Sequence, residues 1–273
     1  MLELEHGFRV VDVHARLEPE EGRRQREGLG DPERLQREMH QAGVVRAVVF
    51  PSARRGSYLT ANNAVARMSV GRPFVAVARV NGARDPANTP AAKLRNLRVR
   101  RQNHHASPTD VEQYAYDDRF VGFKLHPGRD GLPDQEVLRS LESVGLPVIV
   151  HGGRGFPPAA VDATLLSYDF PVVLAHFGGY PLDRTLTERS IDLLDRSSQL
   201  YLDTSLVRFR DPLERAIMEH PDRVLFGSAS PSAHPNVAVM EVLTLDVPED
   251  AMRKLFSNNP GRVFDALAPA SDG

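Results

Sequence analysis

The chain has 273 residues, 41% hydrophobic and 26% charged, with a formal net charge of −2, which suits one (β/α)8 domain of about 250 residues or two smaller domains and indicates no nucleic-acid or anionic-membrane surface. It contains no cysteine, which excludes disulfides and thiolate zinc sites and confines any metal to His, Asp or Glu ligands. No apolar run reaches the roughly 18 residues of a membrane span, and Met1-Leu2-Glu3-Leu4-Glu5-His6 lacks the pattern of a signal peptide, so a cytoplasmic protein is expected.

In chain order, eight short apolar runs read as strands: Phe8–Val13, Val45–Phe50, Phe74–Val80, Phe120–Leu125, Pro147–Val150, Pro171–Ala175, Leu200–Thr204 and Arg223–Gly227. Most are solidly apolar rather than alternating, as strands covered by helices are. Helix-compatible segments lie between most of them. Asp31-Pro32-Glu33 opens one with an N-cap and a proline at the first helical position, and Gly43 closes it. Others are Tyr58–Val70, Asp134–Val144, Pro158–Leu166, Leu182–Asp195, Asp211–Glu219 and Asn236–Leu243. Strand and helix alternating in this way predict an α/β single domain, a (β/α)8 TIM barrel spanning 1–273. An open doubly wound sheet fits less well, because no Gly-rich phosphate turn follows the first strand. Glu18–Gly30 reads as a charged loop able to fold over the barrel mouth, Asn81–Asp118 as a long irregular connection carrying the basic cluster Arg98–His105, and Ala266–Gly273 as a frayed tail. The basic cluster reads first as a solvated helix end and otherwise as an anion-binding patch. Arginine far outnumbers lysine, a bias that suits a GC-rich genome.

Four of these runs end in histidine: His14, His126, His151 and His176. Histidines at the C-terminal rim of a parallel barrel are where metal or acid/base chemistry sits. Side chains alternate along a strand, so Asp12, His14 and Arg16 are expected on one face of the first strand, Lys124 and His126 on one face of the fourth, and Asp203 and Ser205 on one face of the seventh. Apolar residues take the helix-covered outside, which turns these polar groups inward, where burial requires each charge to find a partner, a metal or a substrate.

These residues resemble the amidohydrolase-related branch of the amidohydrolase superfamily, which includes metal-dependent hydrolases and decarboxylases related to aminocarboxymuconate semialdehyde decarboxylase. The matching segments include Val11-Asp12-Val13-His14, Gly122-Phe123-Lys124-Leu125-His126-Pro127, Val148-Ile149-Val150-His151-Gly152-Gly153, Leu174-Ala175-His176-Phe177-Gly178-Gly179, Leu202-Asp203-Thr204-Ser205 and Phe226-Gly227-Ser228. The resemblance implies a divalent metal, usually zinc, with His14 and His151 as ligands and His176 as acid/base or ligand. It also implies two further ligands at positions that here hold Arg16 and Ala229. A guanidinium cannot ligate metal but is a good bidentate partner for a carboxylate.

Three readings follow. The first is a hydrolase or decarboxylase of a small anionic substrate with an altered His14/His151/His176 metal site. The second is a metal-free acid/base enzyme, performing cyclisation, elimination or lactone opening, in which Arg16 and Lys124 bind the anion and His176 or His151 transfers protons. The third is a catalytically silent scaffold or binding subunit. His126, Asp203 and Ser228 are candidate substrate contacts, although Ser228 and His234 read first as a helix cap and a surface histidine and only otherwise as substrate contacts. A small-molecule substrate and a homodimer are expected, with no nucleic-acid or membrane partner.

Overall fold

The computed structural model describes residues 3–18, 30–52, 58–87 and 89–269. Most of the charged loop between Glu18 and Gly30, and the last residues of the tail, lie outside the described residues. Eight parallel strands pair in sequence order: β1 (Val10–Leu17), β2 (Val44–Pro51), β3 (Phe74–Val80), β4 (Phe120–Leu125), β5 (Val148–Gly153), β6 (Val172–Tyr180), β7 (Leu200–Asp203) and β8 (Val224–Leu225). β8 returns to β1 through backbone bonds from Val13 N to Phe226 O (2.9 Å), Ala229 N to His14 O (2.9 Å) and Arg16 N to Ser230 O (2.8 Å). The expected TIM barrel is therefore the architecture observed. Strands β1, β5 and β6 run past the apolar stretches, so His14, His151 and His176 lie inside strands rather than just beyond them.

Local chemistry explains the helices between them. Asp134 caps the helix Gln135–Val144 by accepting from Val137 N, and Gly145 ends it in the left-handed conformation (φ 70°) that glycine adopts without strain. The helix buries Val137, Leu138 and Leu141. The connection between β3 and β4 is less irregular than its sequence suggests. It holds the helices Pro90–Asn96 and Pro108–Ala115, opened by the caps Thr89 and Ser107. Both are too short to display a helical period. The basic cluster is exposed beyond the first of these helices, with Arg101 beside Asp134 (3.4 Å) and Glu136 (3.3 Å).

Two apolar clusters separate inside from outside. The larger joins strand residues such as Val10, Ala15, Leu17 and Phe123 to helix residues such as Leu35, Val65 and Leu138. The smaller holds Val11, Val13, Val48, Val77, Ile149 and Val173 together with Phe264 and Leu267, and so fills the barrel. On β1 the alternation breaks. Val11 and Val13 face inward but Ala15 and Leu17 face the helices, and the β1–β2 register shifts between Asp12 and Ala15. A bulge of this kind re-aims side chains. It turns His14 and Arg16 toward the barrel mouth and leaves Asp12 on the opposite side of the strand, correcting the expectation that the three share a face. Asp12 sits at the β1–β8 seam, fully buried, and accepts from Ser228 Oγ (2.5 Å), Ser228 N (2.9 Å) and His14 N (2.9 Å).

Because Asp12 joins the bulge to the closing strand, Asp12→Ala orphans three buried donors. It should destabilise the fold by about 2–4 kcal/mol, read as a lowered midpoint in thermal or urea unfolding. A midpoint equal to wild type would show that the seam holds without it.

Candidate active site

A cavity of about 470 Å³ opens at the C-terminal ends of the strands, and its wall draws on residues at or just beyond each of the eight. The wall carries four imidazoles, His14, His126, His151 and His176, and five cationic side chains, Arg16, Arg79, Lys124, Arg129 and Arg154. Among the described residues no Asp or Glu lines it. Two of the cations have internal partners. Arg79 donates through Nε to Asp130 Oδ2 (2.9 Å) and through Nη1 to the Ser52 carbonyl (2.7 Å), and Arg16 Nη2 donates to Ser232 Oγ. Arg129 and Arg154 are exposed at the mouth, Arg154 at 3.3 Å from Asp183.

Beneath the cavity floor lies Asp203, at the end of β7 and fully buried. Its Oδ1 accepts from His176 N (3.0 Å), Ser205 N (3.0 Å) and Ser205 Oγ, and its Oδ2 from His14 Nδ1 (2.8 Å). Burial alone would raise its pKa, but the His14 contact and the surrounding donors outweigh it and hold the carboxyl well below the usual carboxylate range. Asp203 is thus a carboxylate, His14 carries its proton on Nδ1, and His14 Nε2 is the free basic nitrogen of a ring that lines the cavity. Gly227 makes room for this pair: a Cβ there would stand 2.9 Å from His14 Cβ and 3.3 Å from Asp203 Cγ.

The other imidazoles fall into line by elimination. A carbonyl can only accept, so His176 Nδ1, 2.9 Å from Ser205 O, carries the proton, and His176 Nε2 accepts from His151 Nδ1 (3.2 Å). Both nitrogens of His176 are therefore engaged, while His151 keeps a free Nε2. His176 has a left-handed backbone (φ 60°), followed by Phe177 (φ 48°) and Gly178 (φ 61°), and its N–H bond to Asp203 holds that strained turn in place. His126 stacks on His151 with centroids 3.9 Å apart, and Tyr180 covers the edges of His151 and His176. Burial, followed by neighbouring positive groups, lowers the pKa of His126 to about 4 and of His176 to about 3 and depresses that of His151 further. Burial lowers the pKa of His14 as well, against the opposing pull of Asp203.

Lys124 is the least satisfied group. The residue is 3% exposed, its Nζ has no hydrogen-bond partner, and it stands over the Phe50 ring, 4.7 Å from Nζ to centroid. Burial, with Arg16 and Arg79 nearby, pulls its pKa down from 10.5 to about 7, against the opposing pull of Asp203 and Asp130.

The donor set fits a resident divalent metal poorly. Among the described residues no three His, Asp or Glu side chains are arranged to hold an ion. His14 turns Nδ1 to Asp203, Ala229 offers no ligand, and Arg16 and Lys124 share the wall. Of the residues singled out from sequence, His14, Arg16, Lys124, His126, His151 and His176 converge on the cavity. Asp203 and Ser228 are fully buried and do not line it. Asp203 instead organises His14 and His176, and Ser228 binds Asp12. His234 caps the helix Pro235–Leu243. Sequence reading missed Arg79, Arg129, Arg154 and Tyr180. Arg129 and Arg154 each follow a strand-end histidine by three residues, a spacing that places them at the rim.

The amidohydrolase family model matches residues 8–266. No curated protein sequence matches the chain. Among solved structures it resembles an uncharacterized TIM-barrel protein from Bordetella bronchiseptica, at 20% identity and TM-score 0.66, covering 94% of this chain and 98% of the other. It also resembles a dihydroxybenzoic acid decarboxylase from Polaromonas sp. JS666, solved with manganese and the inhibitor 2-nitroresorcinol (15%, TM-score 0.62, 94% and 97%). A third is a probable 2-pyrone-4,6-dicarboxylic acid hydrolase from Acinetobacter baumannii with citric acid bound (18%, TM-score 0.62, 94% and 100%).

The environment of Lys124 makes a prediction that needs no substrate. Its folded pKa lies below the unfolded value, so the unfolded chain binds the extra proton between about pH 7 and 10.5, and this residue's contribution to stability rises with pH across that window and is flat below it. Lys124→Met should therefore be more stable than wild type at pH 6, by about 2–4 kcal/mol, with the gap narrowing toward pH 10. A variant less stable than wild type at pH 6 would show that the ammonium has a partner.

Proposed function

This chain belongs to the amidohydrolase family, and on that premise we propose that it is a hydrolase of small carboxylate-bearing esters or lactones, working without a resident metal. The observation that carries the reading is a cavity walled by five cations and four imidazoles with no carboxylate among its described lining. Such a wall selects anions, and Arg16, with Arg129 and Arg154 at the mouth, offers the planar donors that suit a carboxylate.

His14 is the base. Asp203 fixes its tautomer and stabilises the imidazolium formed when Nε2 takes a proton from water. The same nitrogen then returns the proton to the leaving alkoxide, and the positive wall stabilises the oxyanion between the two steps. A bound anion also offsets the cations that depress the histidines. His176 positions His151 and the cavity floor rather than moving protons, because both of its nitrogens are occupied. One distance favours a second reading, a metal held by His151 and His176 with His14. The 3.2 Å between His151 Nδ1 and His176 Nε2 is near the roughly 3.3 Å separating two nitrogens on one tetrahedral zinc.

Acid release from carboxylate-bearing esters and lactones, against neutral analogues, tests the proposal. His14→Ala and Asp203→Asn should each lower kcat by about 10²–10⁴-fold, and Arg16→Gln should raise KM by about 10–100-fold while the neutral analogues change little. No preference for the anionic substrates would sink it. Elemental analysis of protein purified without chelator should find zinc and manganese well below one equivalent, with activity surviving EDTA. Near-stoichiometric metal that disappears in His151→Ala would select the second reading.

A further inference from the structure

Of the 34 Lys and Arg residues in the chain, three are lysines: Lys93, Lys124 and Lys254. Lys93 is exposed on the helix Pro90–Asn96, and Lys254 stands at the surface 3.3 Å from Asp222. Lys124 is the buried one, and it shares its cavity with four arginines. In a chain that uses arginine almost everywhere a cation is wanted, a lysine here points to a property that arginine lacks. An amine can lose its proton and attack carbon; a guanidinium in a protein does neither.

The surroundings suit that use. Lys124 Nζ meets no hydrogen-bond acceptor, faces the Phe50 ring and lines a cavity with room for a small substrate. Arg79, on the neighbouring β3, and Arg16, on β1, oppose a positive charge at Nζ, and the acids that favour one, Asp203 and Asp130, are committed to His14 and Arg79. Desolvation beside another cation is the setting that activates a lysine toward carbonyl carbon.

We propose that Lys124 is an imine-forming nucleophile, giving the chain a lyase activity on small 3-oxo acids. The proposal rests on reading the cavity as a carboxylate site but not on hydrolysis by His14. The Nζ lone pair bonds to the ketone carbon, and the ketone oxygen leaves as water, giving the protonated imine. The carbon–carbon bond to the β-carboxylate then breaks, carbon dioxide departs, and the electron pair moves to the imine nitrogen as an enamine. The enamine carbon takes a proton from solvent through an imidazole, and water hydrolyses the new imine to ketone and free amine. No oxidant or reductant is needed, and one proton is consumed overall.

The test uses the full chain with oxaloacetate, whose ketone stands β to the carboxylate that is lost, and sodium cyanoborohydride at pH 7. Intact mass and peptide mapping should show one reduced adduct per chain on the Lys124 peptide. Release of carbon dioxide without the hydride should exceed the uncatalysed rate. Lys124→Met and Lys124→Arg should lose both signals, with circular dichroism confirming that each is folded. No adduct, or adducts confined to Lys93, Lys254 and the terminal amine, would overturn the proposal; the mapping is made on wild type and so stands even if a variant misfolds. An adduct on Lys124 without accelerated carbon dioxide release would overturn the lyase activity and keep the nucleophile. Ester hydrolysis sensitive to His14→Ala without an adduct would overturn this inference alone, and an adduct without ester hydrolysis would overturn the hydrolase reading alone.

Discussion

The site depends on one buried carboxylate. An isolated ionised Asp203 beneath the barrel mouth would cost several kcal/mol, and the fold offsets this by converging donors from three directions: His14 from β1, the His176 amide from β6, and the Ser205 amide and hydroxyl from just beyond β7. Each donor is thereby constrained. His14 is held in one tautomer, the chain at His176 is held left-handed, and Ser205 is set to receive His176 Nδ1 (2.8 Å to its Oγ). The closeness of His14 to Asp203 in turn requires a residue without a side chain at Gly227.

With that carboxylate below the floor, the open wall is left to imidazoles and cations. The two departures from the metal-binding pattern are consistent with each other. Ala229 in place of an acidic ligand removes negative charge from the rim, and Arg16 in place of a histidine adds positive charge. On the metal-free reading proposed above, they move the positive element of the site from an ion to a guanidinium, which can hold a substrate carboxylate but cannot ionise water. On the same reading, a base held by a carboxylate supplies the function that a metal otherwise would.

Much of this was legible in the sequence. Solid apolar runs alternating with capped helical segments gave the barrel, and the strand-end motifs gave the histidines and Lys124. What escaped had physical reasons. The β1 bulge breaks strict alternation, and nothing in Val-Asp-Val-His-Ala-Arg announces it, so Asp12 was placed with His14 when it belongs to the seam with Ser228. Asp203 was recognised as inward but not as lying beneath the cavity, because depth along a strand depends on the barrel's stagger and not on the strand's own sequence. Which histidine has a free nitrogen depends on partners as distant in sequence as His14 and Asp203. The arginines at the mouth lie on loops, where pattern arguments lose their period.

The one-signed wall also bears on how a catalytic cycle ends. Hydrolysis of a carboxylate-bearing ester makes a second carboxylate, so the product is more anionic than the substrate that entered. Arg129 and Arg154 at the mouth attract the leaving acid as they attract the incoming ester, and electrostatic steering that speeds arrival slows departure. In the proposed hydrolase, slow product release would make turnover sensitive to ionic strength and to competing anions in solution.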